Sequence, residues 1–193
     1  MAIKAIIFDC FGVLVTSARV ALKNDYPKFV RQIDDLDHQA DYGLITRQQF
    51  NEGLSSLIGL TPVQIESRYW GGSVRVESSM KWLLDLKKSG KYKIAMLSNV
   101  GKGFFNSYFT PTEQKELFDA VVLSSDVDMA KPEIGIYQLT ADKLGVKLSE
   151  CVMIDDTYLN IDAAKAAGMQ GVWFISTGQA IHDLNKVLKA ENA

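Results

Sequence analysis

Apolar residues fall into two rhythms along this chain. Three short unbroken runs, IKAIIF, YKIAML and CVMI, each stop abruptly on polar residues: Asp9, Ser98, and the pair Asp155 and Asp156. Runs of this kind are expected of strands covered on both faces. Strands are predicted at residues 2–8, 92–97, 120–124, 151–154 and 171–174. Between the first and second of them the rhythm changes to helical spacing, with Phe29, Ile33 and Leu36, then Phe50, Leu54, Leu57 and Ile58. Two capping boxes open helices there, Thr46 with Gln49, and Thr61 with Gln64 behind Pro62. A stretch of about 60 residues after the first strand therefore reads as an all-helical insertion. A further helix with Met80, Leu83 and Leu84 on one face ends at Gly90. Beyond it, strands alternate with helices near 102–109, 132–144, 158–167 and 179–190. Alternation of this kind predicts βαβ units and an α/β fold built on a parallel sheet.

The chain's 193 residues suffice for one α/β domain with a modest insertion. Its 21 basic and 23 acidic residues give a net charge of −2 without any like-charge block, which disfavours a nucleic-acid partner. No stretch approaches the roughly 18 apolar residues needed to span a bilayer. The first apolar run carries Lys4 and ends on Asp9, as a buried strand does and a signal peptide does not. Cys10 and Cys151 have no metal-ligand spacing and cannot build a disulfide framework, so the expected location is the reducing cytoplasm. A monomer or homodimer is expected.

In an open parallel sheet the carboxyl ends of the strands line one crevice, so Asp9, Ser98, Asp155 and Asp156 are expected to meet there. Lys131, in the next such connection, adds a cation, and Pro132 suits the first position of the following helix. Gly12 would let the backbone turn sharply and aim amide groups at an anion beside Asp9. Ser98 and Asn99 could offer hydroxyl and amide donors to transferring oxygens, and Lys131 could neutralise charge between nucleophile and phosphate. Two adjacent carboxylates repel each other; a divalent cation is the usual reason to keep them, and oxygen ligands with phosphate suit Mg²⁺. A nucleophilic carboxylate, a hydroxyl, a lysine and an acidic pair together are a set for metal-assisted phosphate chemistry.

These segments resemble the haloacid dehalogenase (HAD) superfamily, subfamily I-like, with a small helical (type C1) cap. FDCFGVL corresponds to the nucleophile motif, MLSN to the second, Lys131-Pro132 to the third and MIDDTYLNIDAAKAAGM to the fourth. The resemblance implies a Rossmann-like three-layer core from residues 1–16 and 75–193, with the cap at 17–74. It further implies an aspartyl-phosphate on Asp9, with Mg²⁺ on Asp9, the carbonyl oxygen of Phe11 and Asp156. Asp155 would then act through water or from behind. Cys10, Phe11, Gly12, Ser98, Asn99 and Lys131 would surround the substrate, a small phosphorylated molecule such as a sugar phosphate.

One position departs from the family pattern. Phosphatases of this family usually carry a second Asp two residues after the nucleophile, to protonate the leaving group and activate water; here Phe11 stands there. Loss of a general acid/base typically costs 10²- to 10⁴-fold, about 3 to 5 kcal/mol of barrier. Dehalogenases of the family place an aromatic residue at that position and work at carbon without metal, yet they replace the acidic pair, which this chain keeps. A Mg²⁺-dependent phosphatase is the leading expectation. The alternatives are a 2-haloacid dehalogenase-like hydrolase and a phosphate-binding relative with weakened catalysis.

Other residues are expected to be structural. Cys10 should point away from the crevice, since adjacent residues in extended chain face opposite sides. His38 in the insertion is expected on a solvated helix face, although it could reach the site as a replacement acid, and His182 on the surface. Lys23, Arg31, Arg47 and Arg68 could meet a substrate anion but are expected mostly on solvated faces. Tyr69, Trp70 and Trp82 should pack in the cap core, and Thr16 and Ser17 suit either substrate contact or a hinge.

Overall fold

The computed structural model describes residues 2–190. Five parallel strands, β1 (Ala5–Phe8), β2 (Lys93–Ser98), β3 (Ala120–Leu123), β4 (Cys151–Asp155) and β5 (Gln170–Trp173), form one sheet in the order β3-β2-β1-β4-β5. The period-two alternation of β1 explains its central place. Ile6 and Phe8 enter the apolar cluster on one face, and Ala5 and Ile7 enter that on the other. Ile94 and Met96 are likewise divided from Ala95 and Leu97, and Val152 and Ile154 from Cys151 and Met153. Helices α8 (Ile134–Leu144) and α9 (Tyr158–Ala167) cover one face; α5 (Glu77–Ser89) and α10 (Thr177–Ala190) pack on the other. The result is a three-layer α/β fold, as the alternation of elements predicts.

Between β1 and α5 the chain is helical: α1 (Ala18–Asp25), α2 (Val30–Asp41), α3 (Arg47–Ile58) and α4 (Pro62–Ile65), which runs into a wider turn at Glu66–Trp70. Both capping boxes expected at Thr46 and Thr61 are formed. The chain leaves and re-enters the sheet region side by side. Thr16 N–H donates to Val74 O at 2.9 Å, Val74 N–H to Thr16 Oγ1 at 3.0 Å, and Val76 N–H to Leu14 O at 2.8 Å. Trp82 packs edge-on against Phe8 from α5, outside the helical insertion, whereas Tyr69 and Trp70 are buried within it.

Several local expectations shift. The first strand begins at Ala5, where pairing with Lys93 and Cys151 starts, and not at residue 2. The helix expected at 102–109 is a turn with one short 3₁₀ segment, Phe105–Ser107; Gly103, at φ +84°, breaks any longer helix. A helix follows instead, α6 (Pro111–Leu117), opened by a third capping box, Thr110 with Glu113. Another short helix, α7 (Ser124–Val127), follows β3. Pro132 lies in the turn before α8 and not at its first position, because Glu133 takes the N-cap place.

Candidate active site

The strand ends bring Asp9, Ser98 and Asp155 together at the point where the sheet order departs in both directions from β1. Asp9 is held by its backbone N–H donating to Ile154 O at 2.9 Å. Its Oδ1 accepts the Cys10 N–H at 2.7 Å and faces Lys131 Nζ at 2.9 Å. Lys131 uses all three ammonium protons: on Asp9 Oδ1, on Asp155 Oδ2 at 2.6 Å and on Leu97 O at 3.0 Å. Asp155 is fully buried and takes further hydrogen bonds from Thr157 N–H (2.8 Å) and Asn160 Nδ2 (3.1 Å). Its lone pairs are therefore largely committed within the protein. Asp156 is half-buried, its backbone carbonyl fixed by the Trp173 indole at 2.8 Å and its carboxylate lying over Gly12. A Cβ on Gly12 would stand 2.0 Å from Asp156 Oδ2, and the residue's φ of +85° also favours glycine.

Charge in this cluster is unbalanced. One carboxylate oxygen from each of Asp9, Asp155 and Asp156 falls within 4.8 Å of the others, with the Lys131 ammonium in contact with two of them. Burial pushes the Asp9 carboxyl up to about 7; Lys131 pulls it down, and Asp155 and Asp156 add to the rise. Burial raises Asp156 too, with Asp155 next in effect. Burial alone would discharge Lys131, but Asp155 and Asp9 outweigh it and hold the ammonium well above its ordinary range. Three hard oxygen donors with a surplus of negative charge suit a small divalent cation. The Ser98 hydroxyl is buried, lines the crevice and has no hydrogen-bond partner, an exception that a bound oxyanion would remove.

The remaining expected residues take other places. Asn99 donates from Nδ2 to Lys131 O and accepts the Lys131 N–H at Oδ1, both at 2.8 Å, so its amide fixes the Lys131 loop instead of facing transferring oxygens. Gly12 N–H donates to Val15 O at 2.7 Å and is not aimed at an anion. The Cys10 side chain is fully buried in the apolar cluster, and burial pushes its thiol well above the ordinary range, which leaves no thiolate nucleophile. Phe11 lines the crevice and meets Tyr108 edge-on at 5.3 Å.

Arg19, which sequence reasoning passed over, lines the same crevice. It bridges α1 to α2 by facing Asp37 at 3.0 Å and gripping both oxygens of Asp41 at 2.6 and 3.1 Å. An Arg just after a nucleophile loop was the available signal; its partners lie about 20 residues on and cannot be read from spacing. Lys23 pairs with Asp34 and Asp37, Arg47 with Glu66, and Arg68 with Asp25. His38 stacks on Tyr42 beside the crevice region.

Residues 3–168 match the haloacid dehalogenase-like hydrolases, and the chain belongs to that family. A sesquiterpene phosphatase from Aspergillus oryzae is 28% identical over 176 residues, covering 88% of each chain. A fructose-1-phosphate phosphatase from Escherichia coli is 32% identical over 92 residues, 47% of this chain and 49% of that one. A HAD family enzyme from Bacteroides thetaiotaomicron, solved with magnesium and inorganic phosphate, superposes with a TM-score of 0.71 at 25% identity, covering 89% of this chain and 94% of that one. The protein is thus a HAD-like hydrolase with the three-layer fold of that family. No helix among the described residues is long and apolar enough to cross a membrane.

Proposed function

We propose that this hydrolase is a phosphatase of small phosphomonoesters working through an aspartyl-phosphate on Asp9. One arrangement carries the reading: Lys131 ties down Asp9 Oδ1 and Asp155, leaving Asp9 Oδ2, the unpartnered Ser98 hydroxyl and Asp156 at the crevice. Asp9 Oδ2 attacks phosphorus, and the bond from phosphorus to the ester oxygen breaks. Ser98 Oγ donates to a transferring oxygen. Lys131 stays charged throughout and holds the nucleophile in one rotamer. With Phe11 where a carboxyl would be, the departing oxygen takes its proton from water and leaves hydroxide; a second water then attacks phosphorus, the bond from Asp9 Oδ2 to phosphorus breaks, and the proton that water sheds neutralises the hydroxide as phosphate leaves and the Asp9 carboxylate is restored. Asp9, Asp156 and the Phe11 carbonyl oxygen would hold Mg²⁺, with Asp155 behind them. Bound there, the ion supplies positive charge to the phosphate oxygens.

The helical segment 17–74 serves in this reading as a cap, joined to a core of residues 1–16 and 75–193 through the paired chain at Thr16 and Val74. Relatives named as a sesquiterpene phosphatase and a fructose-1-phosphate phosphatase, and a neighbour holding magnesium and phosphate, support the reaction class. Retention of both carboxylates, Asp155 and Asp156, weighs against the metal-free haloacid reaction that Phe11 alone would suggest. The test is a panel of small phosphomonoesters and short 2-haloacids assayed with Mg²⁺ and with EDTA, on wild type and Asp9→Asn. Phosphate release that needs Mg²⁺ and disappears in Asp9→Asn is expected. Halide release that survives EDTA, or phosphate release by a clean Asp9→Asn preparation, overturns the reading.

A further inference from the structure

A small, partly enclosed cavity of about 20 Å³ lies against the crevice, sharing Phe11, Ser17 and Arg19 with it and continuing between Trp70, Phe104 and Tyr108. That is room for about one water-sized or methyl-sized group. Most polar side chains of this wall are already engaged; Ser17, whose hydroxyl makes no capping bond to its helix, is the exception. Tyr108 OH donates to Trp70 O at 3.2 Å, and the Trp70 indole to Asn51 Oδ1 at 2.8 Å. Ser73 Oγ donates to Tyr69 O at 3.4 Å, and Arg19 is taken by Asp37 and Asp41. The opposite, charged wall is closed on itself in the same way, Lys23 pairing with Asp34 and Asp37. At the crevice mouth two apolar side chains, Val20 and Leu159, are 56% and 62% exposed.

We infer, resting on the phosphatase reading, that the leaving group is a hydrocarbon chain and not a polyol: the preferred substrates are alkyl-type phosphomonoesters. Apart from Ser17, a hydroxyl-rich group would meet only groups that already hold a hydrogen bond or ion pair and would have to share them, and burying an unpaired hydroxyl is unfavourable. A short hydrocarbon chain meets Phe11 first and places a methyl-sized end in the cavity, whereas a longer one running to the crevice mouth covers Val20 and Leu159. This sets aside the sugar phosphate expected from the sequence.

The test is isothermal titration of the Mg²⁺-loaded protein with methyl-, propyl-, butyl- and 2,3-dihydroxypropylphosphonate, which bind without turnover. Affinity is expected to rise about fourfold per added methylene over the first carbons. The dihydroxypropyl compound is expected about tenfold weaker than propyl, in line with the usual discrimination of apolar pockets. Ser73→Leu, which fills the cavity, should lower butylphosphonate affinity about tenfold and leave methylphosphonate unchanged; Ala40→Val, on another side of the cavity, does the same should Ser73→Leu not fold. Equal affinity along the series, or tighter binding of the dihydroxypropyl compound, overturns the inference while leaving the phosphatase reading intact. If no phosphonate binds, methylphosphonate included, both fall.

Discussion

Phe11 is the residue on which catalytic efficiency turns. It stands two places after Asp9, lines both the crevice and the apolar cavity, and meets Tyr108 edge-on. A carboxyl there would lie beside the departing oxygen, so Phe11→Asp is expected to raise kcat on a short phosphomonoester. The gain is bounded by the 10²- to 10⁴-fold that proton transfer typically supplies, and a small part of that range is expected because the surrounding pocket is not shaped for a charge. Loss of the aromatic pair costs about 0.5 to 1.5 kcal/mol of stability. Alkyl substrates should show a raised KM as the first apolar contact is removed. Steady-state kinetics on methyl and butyl phosphate separate the two effects. If kcat falls while Mg²⁺ binding persists, Phe11 belongs to the working pocket and another group handles the proton.

At the scale of elements, the most readable features were those with a local cause. Thr46 Oγ1 accepts the Gln49 N–H at 3.2 Å, and Gln49 Oε1 accepts the Thr46 N–H at 2.9 Å, closing the start of the helix that buries Phe50, Asn51 and Leu54. Thr46→Ala should cost about 1 kcal/mol and lower the melting temperature by about 2–4 °C, without changing methylphosphonate affinity. A calorimetric scan beside a titration checks both. The strands were legible for a similar reason, since a run buried on both faces is apolar throughout, and β1, β2 and β4 needed only small changes at their ends. The stretch after Ser98 was less legible: Gly103 stops the helix expected at 102–109, while Thr110, Pro111 and Glu113 start the real one. Asp9, Ser98, Lys131 and the acidic pair were visible because strand ends converge. The roles of Asn99 and Arg19 were not, because each depends on a partner about 20 to 30 residues away, Lys131 for one and Asp41 for the other.

For the whole molecule, the site is a place where the fold concentrates negative charge that its own cation does not cancel. Asp9, Asp155 and Asp156 converge from the ends of β1 and β4, with the Asp156 carboxylate against Gly12, and Lys131 offsets one charge. Burying them and holding them together opposes folding: burial first, and repulsion by neighbouring carboxylates after it, raises the Asp9 and Asp156 carboxyls above their ordinary range. A divalent ion bound only by the folded chain relieves it and stabilises by mass action, about 2.7 kcal/mol at a hundredfold excess over Kd. For a protein of this size that is a rise in melting temperature of about 5–10 °C. Asp155 is saturated by Lys131, Thr157 and Asn160, so Asp156 is the carboxylate whose removal should matter to the ion and least to the packing. Asp156→Ala is therefore expected to keep or raise the melting temperature without Mg²⁺, by removing a repelling charge, and to lose the Mg²⁺-dependent rise. Calorimetry of both proteins across a Mg²⁺ series reads the two effects apart. A wild type whose melting temperature is indifferent to millimolar Mg²⁺ would remove the metal from the proposed reaction and favour the metal-free haloacid chemistry.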